Sequence, residues 1–338
     1  MSTEPLLVAR GVEKRFPGVH ALAGVDLDVR AGEVHALMGQ NGAGKSTLIK
    51  ILTGVYARDG GTITFAGKDF RPTAPADAQR QGISTIYQEL SLIPTLTVAE
   101  NLFLGRAPRR WYGIDWRTMR RKAAEVLATF DLHVDVDQQL GTMSAAVQQL
   151  VAIARAVQTE ARVIIMDEPT SSLDSHETEV LLGIIQRLKE RGLGIIFVTH
   201  FLEQVYKVSD RITVLRNGTL VGTYEASRLS RLELVSHMLG KVPEETEPAL
   251  HPHPETQGPV VVDARQVERR GVEPFDLTIH QGEVVGFAGL LGSGRTEAAR
   301  LLFGADHARS GTVNGTVPKS PRRAIEQGMA FCPEDRKA

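Results

Sequence analysis

The sequence lacks the features that would place the protein outside the cell or inside a membrane. It has one cysteine, Cys332, in 338 residues, so no internal disulfide can form and we expect a reducing compartment. No apolar run approaches the ~18 residues that a membrane-spanning helix needs. The first residues also lack the basic and apolar segments of a signal peptide. These absences predict a cytoplasmic protein, for which any membrane role would depend on a partner.

Neither sign of charge dominates. The 39 basic and 40 acidic residues leave a net charge of −1 at pH 7. Proteins that bind nucleic acid through their overall field are usually basic, so we expect no nucleic-acid partner. Apolar residues make up 42% and charged residues 23%, which is typical of globular domains. The length suggests two domains of ~100–200 residues each.

Short apolar runs and helical patterns alternate along the chain. Residues 34–38, 163–166 and 194–198 read as buried strands, and residues 46–52 read as a helix that follows a glycine loop. Strands that alternate with helices predict an α/β fold with a mainly parallel sheet. The polar, basic pattern of residues 115–130 predicts an inserted α-helical subdomain.

The chain contains a repeat. Gly32–Glu33, Gly39 and Lys45 each have a counterpart 250 residues later, at Gly282–Glu283, Gly289 and Arg295. A constant offset indicates a tandem duplication. A proline-rich stretch lies between the copies, so we predict a first domain at 1–242, a linker at 243–259 and an incomplete second copy at 260–338.

One stretch of the first copy matches the P-loop pattern G-x-x-x-x-G-K-[ST] in full. Its glycines let backbone N–H groups surround a β-phosphate, and the following helix adds its positive end. Lys45 is expected on the β- and γ-phosphates, and the Ser46 hydroxyl on Mg²⁺. The expected nucleotide-binding residues are Gly39, Asn41, Gly42, Ala43, Gly44, Lys45, Ser46 and Thr47.

Other candidates stand at the ends of predicted strands. Asp167 is expected to hold the water shell of Mg²⁺, and Glu168 to polarise the attacking water, although two carboxylates after a strand are common. His200 should face the nucleotide crevice unless it is an ordinary surface histidine. Gln88 is expected to reach Mg²⁺ or the water, and Phe16 either stacks on adenine or belongs to the core.

The order of these motifs resembles that of the ATP-binding cassette (ABC) ATPases. The motifs run from the P-loop through Gln88, a segment around Ser144, the pair Asp167–Glu168 and Asp174 to His200. The resemblance implies a P-loop NTPase fold with an antiparallel β subdomain. It also implies that two nucleotide domains enclose each ATP between the P-loop of one and the signature segment of the other.

Finer phrases look like those of the tandem-domain subunits of bacterial monosaccharide importers of the ribose, galactose and xylose type. They are residues 16–22, 38–47, 52–56, 97–101 and 333–337. The last resembles that group's replacement for the Gln loop in its second domain.

The resemblance also assigns roles. It makes Phe16 an adenine stacker, Gln88 a γ-phosphate sensor linked to the permease, Glu168 the general base and His200 a γ-phosphate clamp. Ser144 would contact the nucleotide held by another domain.

The sequence departs from the family pattern at three places. Val147 replaces the glutamine of the signature segment, although Ser144 remains. Arg295 replaces lysine in the second P-loop copy, which keeps the charge and changes its shape and reach. The chain ends at Ala338 before a second signature segment, so turnover by this chain alone is expected to be slow.

We therefore predict an ATP-binding and ATP-hydrolysing subunit of a monosaccharide importer. It would lie peripherally on the cytoplasmic face of the cell membrane, bound to permease subunits and through them to a periplasmic sugar-binding protein. A second ABC domain would complete its ATP site. The alternatives are a soluble tandem cassette ATPase acting on ribosomes or a similar machine, and a remnant that binds nucleotide without catalysis.

Overall fold

The computed structural model describes residues 5–87, 91–130, 132–159, 161–171, 173–240, 258–289, 293–317 and 320–332. The chain divides into two compact units, Met1–Glu245 and Thr246–Ala338. Most of the predicted linker lies outside the described residues, so the boundaries 1–242, 243–259 and 260–338 stay a prediction.

The first unit alternates strands with helices, as the sequence pattern predicts. Its strands are β1 (Pro5–Phe16), β2 (Val19–Arg30), β3 (Val34–Met38), β4 (Gly60–Phe65), β5 (Lys68–Asp69), β6 (Ile83–Ile86), β7 (Arg109–Arg110), β8 (Gly113–Ile114), β9 (Val163–Asp167), β10 (Gly194–Val198), β11 (Arg211–Arg216) and β12 (Thr219–Glu225). Its helices are α1 (Lys45–Leu52), α2 (Pro75–Arg80), α3 (Val98–Leu102), α4 (Trp116–Ala128), α5 (Ala145–Gln158), α6 (Ser175–Glu190), α7 (Leu202–Val208) and α8 (Arg231–Leu239).

A six-stranded sheet forms the centre of this unit, in the order β12-β11-β3-β10-β9-β6. The pairs β11–β3, β3–β10, β10–β9 and β9–β6 are parallel, and only β11–β12 is antiparallel. Every residue of β3 and β10 is buried, as expected for strands with both faces covered. The predicted mainly parallel α/β sheet is confirmed, and its parallel strands all end at one edge.

An antiparallel sheet, in the order β2-β1-β4-β5, packs on the same core. Leu7 of β1, Leu27 of β2 and Ile63 of β4 belong to one buried cluster with Leu48 of α1 and Ile165 of β9. Helix α1 is therefore held between the two sheets. This packing fixes the loop that joins β3 to α1.

The inserted helical subdomain is also present. Its helices α3, α4 and α5 share a core through Leu102, Met119, Ala123 and Val151. Helix α4 begins after Asp115, whose side chain accepts a hydrogen bond from the backbone N–H of Thr118. Among the helices in the described part of the chain, none is long and apolar enough to cross a membrane.

The second unit repeats the opening elements of the first. Its strands β13 (Val260–Arg269), β14 (Val272–His280) and β15 (Ser310–Val313) form an antiparallel sheet in the order β14-β13-β15. Its helices are α9 (Arg295–Phe303) and α10 (Pro321–Glu326). Helix α9 corresponds to α1 at the predicted offset, so the duplication visible in the sequence is also visible in the fold.

Candidate functional site

The loop between β3 and α1 has a backbone that only glycine can form at two positions. Gly39 has φ 152°, and a Cβ atom there would lie 2.3 Å from the carbonyl oxygen of Leu215. Gly44 has φ 102°, and its Cβ would lie 2.8 Å from the carbonyl oxygen of Ala21. Such a loop at the start of a helix turns its backbone N–H groups toward an anion.

This loop forms one wall of an open cavity of about 740 Å³. The antiparallel sheet, the carboxyl end of β9 and the β11–β12 turn supply the other walls. The lining residues are Phe16, Val19, His20, Ala21, Asn41, Gly42, Ala43, Gly44, Lys45, Ser46, Thr47, Asp167, Glu168, Val198, Asn217 and Gly218. The structure thus brings nearly all of the predicted phosphate-binding residues to one cavity that also contains both carboxylates.

The Lys45 ammonium group lies over the loop. Its Nζ donates to the carbonyl oxygen of Gly39 at 2.6 Å and to that of Gln40 at 3.0 Å. Burial lowers the pKa of Lys45, and the nearby carboxylates Glu168 and Asp167 partly oppose this effect. A bound polyanion would favour the charged ammonium form, as a phosphate site requires.

Asp167 and Glu168 stand where β9 ends. Asp167 pairs in parallel register with Val198 of β10, and the Glu168 N–H donates to the Val198 carbonyl oxygen at 2.8 Å. Burial raises the pKa of Asp167, and the neighbouring Glu168 charge raises it further. Glu168 has φ 48°, in the left-handed region that non-glycine residues rarely occupy. This backbone aims its side chain toward the strand edge where β10 also ends.

His200 follows β10 at this same edge. Its Nδ1 lies 3.5 Å from the Glu168 Oε1, and its ring lies against Phe201 with the ring centroids 4.0 Å apart. Because parallel strands end together, the two residues meet although 32 positions separate them in the sequence. The fold therefore places His200 beside Glu168, whereas the expected role of His200 toward the nucleotide stays a prediction.

Phe16 lines the cavity and is held by two neighbours that the sequence reasoning missed. Tyr56 packs edge-to-face on its ring, with centroids 5.3 Å apart and an interplanar angle of 70°. The Lys14 Nζ lies 5.5 Å from the Phe16 ring centroid and pairs with Asp59 at 2.8 Å. The Tyr56 contact joins a loop to β1, so no local sequence signal reports it. Lys14 and Phe16, in contrast, lie two positions apart on β1, where side chains share one face of the strand.

The turn Asn217–Gly218 was also missed. The Gly218 N–H donates to the Ala43 carbonyl oxygen at 3.1 Å, and the Gly218 carbonyl accepts from the Ala23 N–H at 2.8 Å. The turn therefore hydrogen-bonds both to the phosphate loop and to β2, and it holds the loop in place. An Asn-Gly pair between two strand-like segments is a strong hairpin signal, but the sequence does not say which loop the hairpin will touch.

Three described residues that the sequence predicted for the site are absent from the lining of this cavity: Gly39, Ser144 and His200. Ser144 is absent from the described residues that line it, and it instead caps α5 by accepting from the Val147 N–H at 3.3 Å. Gln88 lies outside the described residues, as do residues 290–292 of the second P-loop copy and the 333–337 segment. Arg295 begins α9 after Gly294, which has φ 89°.

The donors present fit a magnesium ion that arrives with a phosphate ligand. Ser46 and Asp167 both line the cavity. Within the described ranges, no group of three or more His, Cys, Asp and Glu side chains could hold a metal without other ligands. Mg²⁺ usually keeps several waters and takes one or two carboxylates together with substrate phosphates, so this sparse set is suitable.

The sequence profile of the ABC transporter family matches residues 22–171. The chain is 48% identical over 99% of its length to the galactofuranose transporter ATP-binding protein YtfR of Escherichia coli K12, and covers 68% of that protein. It is 48% identical to the ribose import ATP-binding protein RbsA 2 of Rubrobacter xylanophilus, over 99% of this chain and 65% of that one. The fructose import ATP-binding protein FruK of Bifidobacterium longum is 45% identical over 98% of this chain and 67% of its own length.

Solved structures that resemble this chain are also ATP-binding cassettes. The ADP conformation of the ATP-binding cassette MJ1267 has a TM-score of 0.63 at 28% identity, over 71% of this chain and 100% of that one. A nucleotide-free cassette from an ABC transporter has a TM-score of 0.62 at 28% identity, over 71% and 98% of the two chains. The chain spans about two thirds of the length of the importer proteins that it matches. Nearly half of its residues are identical to theirs along its whole length, and a complete P-loop lies in its cavity, so the chain belongs to the ATP-binding subunits of ABC transporters.

Proposed function

We propose that this chain binds MgATP in the described cavity and that hydrolysis there drives a monosaccharide importer. The observation that carries the proposal is the joining of the P-loop, Asp167, Glu168 and His200 at one sheet edge. The named relatives are import proteins for galactofuranose, ribose and fructose, which supports a sugar as cargo. A ribosome-bound cassette protein finds no support among these names.

The residues of the cavity suit successive tasks in hydrolysis. The loop N–H groups and Lys45 would hold the β- and γ-phosphates. Ser46 and Asp167 would hold Mg²⁺, which neutralises phosphate charge when bound. Glu168 would orient a water and accept its proton, and His200, which lies beside Glu168, would hold the γ-phosphate. Gln88 is proposed to sense the γ-phosphate and to complete the metal shell.

The site also requires a second nucleotide domain. Ser144 caps α5, a 14-residue helix, and does not line the cavity of its own unit. We propose that it meets the nucleotide of another domain, as the resemblance implies. We further propose that the chain lies on the cytoplasmic face of the cell membrane, bound to permease subunits that receive sugar from a periplasmic binding protein.

Nucleotide binding is tested by calorimetric titration of the whole chain with MgATP. Lys45→Met removes a charged donor, which is worth about 1.5–3 kcal/mol, so the Kd should rise roughly 10- to 150-fold. Lys68→Met is the matched control, because this exposed lysine lies on β5. A wild-type chain that does not bind MgATP would overturn the proposal.

Coupling to import is tested by uptake of labelled ribose, galactose and xylose in cells that carry the chain with its permease. Lys45→Met and Glu168→Gln should both stop uptake, whereas Lys68→Met should not. Glu168→Gln should retain MgATP binding, because it removes the proposed base and leaves the phosphate loop intact. Uptake that continues in Lys45→Met cells would show that this chain does not supply the energy.

A further inference from the structure

A short hairpin in the helical subdomain exposes two large aromatic side chains. Strands β7 and β8 pair Arg109 with Ile114 and Arg110 with Gly113, which leaves Trp111 and Tyr112 at the tip. Trp111 is 97% exposed and Tyr112 is 71% exposed. An indole ring left almost wholly in water forgoes the burial that normally stabilises it, so the exposure needs a reason.

The tip does not stand alone. The Asp115 N–H donates to the carbonyl oxygen of Pro108 at 2.8 Å, which closes the base of the hairpin. Asp115 also caps α4 and accepts from Arg110 at 3.0 Å. Ile114 and Trp116 are 41% and 45% exposed beside the tip. The aromatic rings therefore lie at the tip of a hairpin whose base is hydrogen-bonded to the start of α4.

The same stretch concentrates positive charge. Residues 106–122 contain seven basic side chains and one acid, Asp115, whereas the whole chain is nearly neutral. All seven basic residues are exposed, and they are Arg106, Arg109, Arg110, Arg117, Arg120, Arg121 and Lys122. Some are paired, since Arg120 contacts Asp137 at 2.6 Å and Arg121 contacts Glu125 at 3.2 Å. The local balance still favours an anionic partner.

We propose that segment 106–122 docks directly on an anionic lipid surface. Tryptophan and tyrosine prefer the headgroup level of a bilayer, where the ring meets the acyl boundary and the polar atom stays wet. Each Lys or Arg close to an anionic leaflet contributes about 1 kcal/mol. The hairpin supplies both contributions, since Trp111 and Tyr112 can enter the headgroup region while Arg109 and Arg110 attract anionic lipid. Membrane-surface anchors combine apolar insertion with basic charge in the same way.

This contact goes beyond the importer function, because it joins the chain to lipid and not to a membrane protein. It uses none of the residues of the nucleotide cavity. The lipid proposal can therefore fail while MgATP binding succeeds, and the reverse also holds.

The chain contains only two tryptophans, Trp111 and Trp116, so its tryptophan emission reports on this segment alone. Trp116→Phe leaves Trp111 as the single tryptophan. Mixing this variant with phosphatidylcholine vesicles that contain a quarter of phosphatidylglycerol should shift its emission to the blue. Pure phosphatidylcholine vesicles should cause little change. Raised salt should weaken the effect, because the Debye length is only about 10 Å at 0.1 M.

Co-sedimentation with the same vesicles then separates aromatic from charge contributions. Trp111→Ala with Tyr112→Ala, and Arg109→Glu with Arg110→Glu, should each lower the vesicle partition constant at least roughly tenfold, about 1.4 kcal/mol. The matched charge control is Arg322→Glu with Arg323→Glu on the exposed surface of α10. Unchanged MgATP affinity shows that each variant is folded.

Two results would overturn the lipid proposal. The wild-type chain could fail to bind anionic vesicles, and if the hairpin variants then also lose co-purification with the permease, the hairpin contacts protein. Alternatively, the chain could bind the vesicles equally well with and without the hairpin substitutions.

Discussion

Replacing Glu168 by glycine is expected to raise the stability of the first unit while removing the proposed general base. Glu168 has φ 48°, and its N–H is fixed on the Val198 carbonyl oxygen at 2.8 Å. Strained backbone of this kind persists only where the surrounding structure enforces it. Here the enforcement comes from the register between β9 and β10, which ends beside His200.

The expected gain follows from two opposing effects. Left-handed backbone costs an L-residue about 1–2 kcal/mol, whereas glycine loses about 0.5–1 kcal/mol more chain entropy on folding than alanine. The net backbone gain is therefore about 0.5–1 kcal/mol. For a domain of this size, 1 kcal/mol raises Tm by about 2–4 °C. The charge of Glu168 must be separated from this effect, because it also repels Asp167.

Glu168→Gln is the matched control, since it removes the charge and keeps the left-handed side chain. The melting of both variants is followed by calorimetry of the whole chain. Glu168→Gly should melt above Glu168→Gln by about 1–4 °C, and neither should sustain hydrolysis. If the glycine variant melts at or below the glutamine variant, then the backbone at this position stores no strain and the reasoning is wrong.

The same pair predicts a pH dependence. Burial and the Glu168 charge raise the pKa of Asp167. A carboxyl with a raised folded pKa stabilises the native state below its unfolded pKa, and this contribution is lost as pH rises through the folded value. Glu168→Gln lowers the folded pKa of Asp167, so its gain in Tm over wild type should be present at neutral pH. The gain should fade as the pH falls through the raised pKa of Asp167 toward the ordinary aspartate value of about 4.

Three further substitutions test separate parts of the fold. Tyr56→Ala should weaken MgATP binding up to roughly tenfold by releasing Phe16, since an aromatic pair is worth about 0.5–1.5 kcal/mol. Tyr56→Phe should bind MgATP normally, and inorganic tripolyphosphate should bind all three proteins alike if the defect concerns the base. Arg211→Met should lower the free energy of unfolding in urea by about 3 kcal/mol, because it leaves Glu33, with its side chain 6% exposed, without its guanidinium partner. Gly44→Ala should abolish MgATP binding in titration, because its Cβ would lie 2.8 Å from a backbone oxygen; normal affinity would show that the loop can rearrange.

Much of the fold and part of the site followed from local pattern. Buried β-branched runs predicted β9 and β10. The P-loop pattern predicted the phosphate-binding loop, because consecutive backbone groups of that loop carry its chemistry. The rule that parallel strands end at the same edge predicted that His200 would face the crevice, but its contact with Glu168 came from the structure. The roles assigned to Gln88 and Ser144 remain predictions. Gln88 lies outside the described residues, and Ser144 lines no cavity in its own unit.

The sequence by itself determined that a phosphate loop exists, that the chain is duplicated and that the second loop carries Arg295. Only the tertiary structure decided that Tyr56 braces Phe16, that Glu168 is held in a left-handed backbone and that Trp111 stands in solvent. The physical reason is the range of the interactions. A backbone cradle depends on neighbours in sequence, whereas ring contacts, enforced dihedrals and exposure depend on which distant segments pack together.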